Sequence, residues 1–217
     1  HYAETALFLA GESAMKMIDE AAIGRALDFF DAVAKRDGTL KWYARQQQAI
    51  IQSARRREAE AVALYDIILE AQPPAEAELR YSAAIGKGDN LLVLGQTDAP
   101  KTEDALHAFE EVARTEGAPS NWRNQALYKK AKVLEQLNRP NEAIRAYWEV
   151  LDANARAADR EFFWYYKAGF DAARIFEQRG AWREAIGIYE KMILLDGPRT
   201  EEARARTKAI RLEHHIW

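Results

Sequence analysis

Five times along this chain an alanine is followed, four residues later, by an aromatic residue. The pairs are Ala26 and Phe30, Ala61 and Tyr65, Ala105 and Phe109, Ala143 and Tyr147, and Ala185 and Tyr189. Aromatics make up 11% of the chain, so five in one register is a periodic signal. Seven residues after the alanines stand Val33, Ile68, Val112, Val150 and Met192. Positions i, i+4 and i+7 share one face of a 3.6-residue helix, so each triplet predicts an apolar helical stripe. An acidic residue precedes the alanine in four copies (Glu60, Asp104, Glu142, Glu184), with Arg25 the exception. Acids early in a helix suit its positive end. The alanines are 35, 44, 38 and 42 residues apart, a spacing of whole supersecondary units.

The clearest copy runs from Trp164 to Pro198. Its second half carries Ala185, Ile188, Tyr189, Met192 and Ile193 on one helical face. Its first half has a stripe of Tyr165, Gly169, Ala172, Ala173 and Phe176. Gly180, between the halves, suits the left-handed conformation that ends a helix. Gly197-Pro198 closes the unit, because proline cannot continue a helix. The small residues of the first stripe admit a close neighbour, with Tyr189 expected to fill the space they leave. Neither helix alone buries enough apolar surface to persist in water, so each pair needs a neighbouring pair.

This pattern resembles the tetratricopeptide repeat family, whose unit is a helix-turn-helix of about 34 residues. The matching residues are Ala185, Tyr189, Gly180 and Pro198 in the last copy, and Ala61, Tyr65 and Pro73 in the second. The third contributes Gly88, Gly95, Ala105 and Phe109. The chain departs from the family at the first-helix tryptophan position, where Ala10, Arg45, Ala84, Leu127 and Gly169 stand. The resemblance implies an all-α fold: a right-handed superhelical solenoid of about five helix-turn-helix repeats plus a C-terminal capping helix. It reads as a single domain over 1–217, with repeats at roughly 5–37, 41–74, 75–117, 120–156 and 159–198 and a cap at 199–217. The lengthened spacings resemble those of some bacterial envelope-assembly proteins. That implies a cell-envelope or periplasmic setting ahead of a cytoplasmic one, although the residues themselves name no compartment.

Taken in order, the expected helices are Thr5–Asp19, Gly24–Lys35, Lys41–Ser53, Glu58–Ala71 and Ala75–Leu94. The last of these is expected to be strained by Gly86 and Gly88. A loop over Gln96–Thr102 containing Pro100 precedes a helix over Glu103–Thr115. Ser120, Asn141 and Thr200 are expected N-caps, since their side chains accept from the first turn. The final helix, to about His215, carries Glu201, Glu202, Arg204, Arg206, Lys208 and Arg211. It reads as the polar cap that repeat arrays need at an end.

Composition narrows the function. Of 217 residues, 48% are hydrophobic and 30% charged, which is a foldable composition. The net charge of −3 lacks the basic excess of a general nucleic-acid binder. With no cysteine there are no disulfides, thiolate metal sites or cysteine nucleophile. No run reaches the roughly 20 apolar residues of a membrane span. The opening His1-Tyr2-Ala3-Glu4 reads as an excised or processed fragment, with His1 a tag remnant.

Catalytic motifs are absent: there is no HExxH, GxSxG or P-loop. His107 belongs to an exposed helix side, and the adjacent His214 and His215 point about 100° apart on a helix and share no metal easily. Gly86-Lys87-Gly88 reads as close helix packing rather than phosphate binding. No catalytic residue, metal or cofactor is therefore assigned.

Two surfaces are candidates for a protein or peptide partner. Phe162-Phe163-Trp164-Tyr165-Tyr166 covers every side of a helix, so some rings face away from their own repeat's core. One reading buries them all between the fourth and fifth copies; the other makes one or two of them anchors for a partner. By resemblance, first helices line a concave groove that holds peptides or helices. Carried over by position, that groove presents Gln125, Tyr128, Lys129, Lys132, Lys167, Phe170, Asp171 and Arg174 in the C-terminal half, a basic surface with two rings. In the N-terminal half it presents Phe8, Met15, Tyr43, Gln47 and Ile50, which is neutral and apolar. A basic groove favours acidic or C-terminal carboxylate segments. The family's two-carboxylate clamp also needs asparagines at set positions, and these are missing. The expected role is a protein-protein interaction scaffold with its partner in the groove. The alternatives are a structural component of an envelope assembly docking through convex or end surfaces, and an enzyme with a dispersed carboxylate site. Oligomeric state is not readable from the sequence.

Overall fold

The periodic positions are the interior of the protein. Ala26, Ala61, Ala105, Ala143 and Ala185 are fully buried, as are Phe30, Phe109 and Tyr147, and Tyr65 and Tyr189 nearly so. Val33, Ile68, Val112, Val150 and Met192 complete the same stripes and are buried as well. In the computed structural model, which describes residues 2–17 and 19–217, these stripes lie on helices. The helices are α1 (Tyr2–Met15), α2 (Glu20–Ala34), α3 (Lys41–Ala54), α4 (Glu58–Leu69), α5 (Ala77–Leu94) and α6 (Ala99–Arg114). They continue with α7 (Ser120–Gln136), α8 (Pro140–Arg156), α9 (Phe162–Gln178), α10 (Trp182–Leu194) and α11 (Thr200–Glu213). No strand occurs among the described residues. His1, the suspected tag remnant, lies outside them.

The chain forms two compact units, His1–Ala108 and Phe109–Trp217, divided within α6. In the first, α1 packs on α2, α2 on α3, α3 on α4 and α4 on α5, and α3 also touches α5. In the second, α7 packs on α8, α8 on α9, α9 on α10 and α10 on α11, and α7 also touches α9. Within α1–α5 and within α7–α11, consecutive helices thus pack on one another. Within each unit a first helix also meets the next first helix, α3 with α5 and α7 with α9, which is the packing of a repeat solenoid.

Three hairpin turns are built alike. Arg56, Asn138 and Gly180 have φ of 59°, 55° and 68°, each five residues before the hairpin's buried alanine. In each, the next N–H donates to a carbonyl five residues back: Arg57 to Gln52 at 2.9 Å, Arg139 to Leu134 at 2.8 Å, and Ala181 to Phe176 at 2.9 Å. This is the Schellman closure, which satisfies carbonyls at the end of the first helix. Gly180 was legible as such a position. Arg56 was not, because a Cβ disfavours the left-handed region.

Close approach explains the glycines. A Cβ on Gly86 would lie 2.5 Å from Tyr65 Cζ, and one on Gly11 would lie 2.8 Å from the Phe30 ring. Helix α5 runs unbroken through Gly86 and Gly88. At Gly169 the side chain filling the space belongs to Met192, not to the expected Tyr189.

The helix starts depart from expectation. Pro100 sits in the first turn of α6 rather than in a loop, a place where its missing N–H costs nothing. Ser120 is the first residue of α7, not its cap. Its N–H and hydroxyl donate to Asp159 at 2.8 and 2.9 Å, so the cap comes from 39 residues away. Asn141 does not cap α8, which starts on Pro140; its side chain accepts from Arg179 at 2.8 Å. Thr200 is the buried first residue of α11, its hydroxyl 3.2 Å from that of Tyr166. Local sequence cannot show a distant acceptor.

Two pairs of substitutions test this account by thermal unfolding. Gly86→Ala should lower Tm, because overpacking against Tyr65 (about 1–3 kcal/mol) exceeds the helix-propensity gain of about 1 kcal/mol. Gly24→Ala, whose Cβ meets nothing within 4 Å inside α2, should raise it. Arg56→Gly should stabilise by about 1 kcal/mol, whereas Gly180→Ala should cost about the same.

Candidate partner-binding face

Helix α7 presents Tyr128, Lys132 and Glu135 at i, i+4 and i+7, and α9 answers with Trp164, Lys167, Asp171 and Arg174. The Tyr128 hydroxyl donates to Asp171 at 2.9 Å. Lys132 lies 3.1 Å from Glu135 and 3.6 Å from Asp171. Arg174 donates to Glu135 at 2.6 Å and approaches Asp171 at 3.3 Å. Tyr147, from α8, donates to Glu135 at 2.5 Å. Four of the expected groove residues, Tyr128, Lys132, Lys167 and Arg174, therefore converge. The surface is not simply basic, because Glu135 and Asp171 neutralise Lys132 and Arg174.

Glu135 is the residue that the sequence reading missed, and its spacing from Tyr128 and Lys132 was the available signal. Burial alone would push its carboxyl up. Hydrogen bonds from Tyr147, Arg174 and Lys132 outweigh that and hold it below its ordinary value of 4.5. Burial and then the bonds to Asp171 and Glu135 push the Tyr128 and Tyr147 phenols up, so both remain donors at neutral pH. The same device recurs one hairpin later. Tyr189 donates to Glu177 at 2.8 Å, again twelve residues apart, and Arg206 of α11 donates to Glu177 at 2.6 Å. Glu177 is likewise held low by Arg206 and Tyr189 against the burial that would raise it.

Lys167 differs from the other cations. Its ammonium stands over three rings, 4.9 Å from Phe163, 5.2 Å from Trp164 and 5.2 Å from Tyr128. Trp164 packs on Tyr128 at 5.3 Å and edge-on to Phe163 at 4.7 Å. Phe163 is 60% exposed, while Tyr165 and Tyr166 of the same run are buried. Phe162 stacks on Tyr166 and lies against Gly197. The aromatic run thus divides between core and surface.

The remaining expected residues lie elsewhere. Phe170 faces Tyr189 at 5.7 Å and is covered by the Arg199 guanidinium at 4.2 Å. Lys129 is half-buried on α7. Tyr43 and Gln47 belong to the other unit, on α3, where Tyr43 donates to Glu76 at 2.6 Å. Phe8 and Met15 pack on the core around Phe30. Ile50 is exposed.

A cavity of about 390 Å³ also lies among α6, α7 and α8, lined in part by Glu110, Arg123, Lys130 and Asp152. Glu110 is shared by Arg114 and Lys130, and Asp152 is 2.5 Å from Lys191. His107 is exposed, and His214 stacks on Trp182. No group of metal-ligating side chains assembles among the described residues.

No protein-family model and no curated protein matches this sequence. Solved structures do. A tetratricopeptide repeat protein from Parabacteroides merdae ATCC 43184 is 17% identical over 97% of this chain and 74% of its own, with a TM-score of 0.59. The Q17M form of nearly identical TPR-like repeats from Podosopora anserina is 16% identical over 99% of this chain and 98% of its own, with a TM-score of 0.63. The fold is that of the tetratricopeptide repeat. At these identities the likeness concerns the fold alone. Tetratricopeptide-type repeat proteins commonly mediate protein-protein interactions.

The lock around Glu135 has a pH signature. Its depressed folded-state pKa means that ionisation favours the fold. That contribution is complete above the ordinary value of 4.5 and disappears as pH falls through the depressed value. Glu135→Gln should therefore lower stability by about 1–2 kcal/mol at pH 7, and the gap should narrow in a series of melting curves as pH falls below the ordinary carboxylate value of 4.5.

Proposed function

We propose that this chain is a non-catalytic protein-interaction module that takes an extended peptide across the α7–α9 face. The observation that carries the reading is the platform of Phe163, Trp164 and Tyr128 around Lys167. It combines an exposed apolar surface with a cation that has no carboxylate partner among the described contacts. Neighbouring Lys132 and Arg174, by contrast, are already held by Glu135 and Asp171. A preformed face of this kind suits a segment carrying a carboxylate beside an apolar side chain. The carboxylate meets Lys167 and the apolar group covers Phe163 and Trp164. Aromatic residues on a rigid support anchor partners at low entropic cost. The absence of a reaction is part of the proposal. Glu135 and Asp171 are each tied to several donors, which leaves neither poised as a proton acceptor.

Selection of a displayed random-peptide library on the protein tests this. Enriched peptides should pair an acidic with an apolar residue. They should bind Phe163→Ala and Lys167→Glu at least about tenfold more weakly, while both variants keep the parent's helical circular-dichroism spectrum and cooperative melting. No enrichment, or equal binding by the variants, overturns the reading.

A further inference from the structure

Two helix ends and one helix start meet at the cavity among α6, α7 and α8, within the second unit. A short loop over 115–119 joins α6 to α7, and α8 returns antiparallel to α7 across a tight turn. Arg114 is the last residue of α6, Arg123 the fourth of α7 and Arg156 the last of α8. They therefore come to the same end, and all three line the cavity. Arg114 and Arg156 suit the negative ends of their helices. Arg123 does not, because it stands at the positive start of α7, whose first turn carries no acid. The helix end adds to its positive potential rather than offsetting it.

Most acids around the cavity are already engaged. Glu110 is shared by Arg114 and Lys130, and Asp152 lies 2.5 Å from Lys191. Asp159 attracts Arg123 but accepts from the Ser120 N–H and hydroxyl, and Arg123 Nη2 donates to that hydroxyl at 2.9 Å. Among the described residues, neither Arg123 nor Arg156 has a carboxylate at ion-pair distance. Glu149 is the remaining acid of the lining. It stands seven residues, about 10 Å, along α8 from Arg156, towards the other end.

We infer that this cavity is a binding site for a small phosphate monoester, with its phosphate at Arg123 and Arg156 and its organic part over Leu127. The charge follows from the two guanidinium groups left without a carboxylate, which a dianion neutralises. The group follows from their shape, since planar guanidinium forks match the oxygens of a phosphate. The size follows from the volume of about 390 Å³, which exceeds what an inorganic ion fills and falls in the range of roughly 300–1,000 Å³ usual for small-molecule sites. Leu127, Ala113 and Ala153 supply the apolar lining for the rest of the molecule. The site is separate from the platform around Lys167 and does not depend on what binds there.

Titration calorimetry of the full chain with phenyl phosphate, at constant ionic strength, tests this. Phenyl phosphate should bind at least about tenfold more tightly than benzoate, which carries one charge and no third oxygen, and more tightly than inorganic phosphate, which leaves the apolar lining uncovered. Arg156→Gln, at an exposed position, should weaken binding about tenfold. Arg123→Lys, which keeps the charge and removes the fork, should weaken it as well, with cooperative melting retained. Glu149→Gln should tighten it, because a like charge is removed from the cavity. Arg183→Gln, an exposed cation outside the cavity on α10, and Lys167→Glu should leave it unaltered. The inference is overturned by no heat of binding at millimolar phenyl phosphate, or by affinity equal to that for benzoate. Equal affinity for inorganic phosphate means an adventitious ion only, and an equal loss in Arg183→Gln means diffuse charge attraction; either result also overturns it.

Discussion

Large side chains on one helix occupy the space that glycine or alanine leaves on another, and the hairpins depend on that complementarity. Phe30 fills the place of a side chain at Gly11, Tyr65 at Gly86 and Met192 at Gly169. A helix of 12 to 18 residues is marginal alone in water. It persists here because its stripe is dry on both sides, against its hairpin partner and against the next hairpin. The buried alanines let the axes come close, and the aromatics four residues on use the resulting depth. Packing at this density tolerates few changes of volume.

On this apolar scaffold the second unit adds a polar lock at each hairpin junction. A first-helix glutamate accepts from the tyrosine of its own hairpin and from an arginine of the next first helix: Glu135 with Tyr147 and Arg174, then Glu177 with Tyr189 and Arg206. The tyrosine is the periodic core aromatic, so its ring serves packing while its hydroxyl serves the lock. In the first unit the corresponding aromatics are Phe30, without a hydroxyl, and Tyr65, with Ser53 twelve residues before it. The lock therefore depends on a side-chain pair and not on the repeat itself. It also ties up Lys132 and Arg174, whereas the Lys167 ammonium stands over the rings of Tyr128, Phe163 and Trp164.

Of the face around Lys167, the residue types and their helices were legible, but not their pairing. The resemblance to the repeat family, carried over by position, proposed Tyr128 and Lys132 on α7 and Lys167 and Arg174 on α9 as neighbours, and these four side chains do converge. What spacing could not show was which charges cancel. Glu135 went unremarked because a lone glutamate on a helix resembles any solvated acid until a tyrosine and an arginine from two other helices meet it. Phe170 looked like a groove ring but is covered by Arg199, which is distant in sequence. The helix starts tell the same story: Asp159 serves Ser120, and Glu4 accepts from the Leu40 N–H at 2.9 Å across 36 residues.

The amino-acid sequence alone determined the all-helical class and the identity of the core, because a 3.6-residue period and a repeated alanine-aromatic step are local properties of amphipathic helices. Tertiary structure decided which polar groups are spent on structure and which remain available. That outcome depends on distances between residues roughly 30 to 40 positions apart, set by how hairpins stack, and a linear reading carries no measure of them. Composition made the final helix look like a polar cap. Only the packed chain shows that its Arg206 is tied to Glu177 of α9.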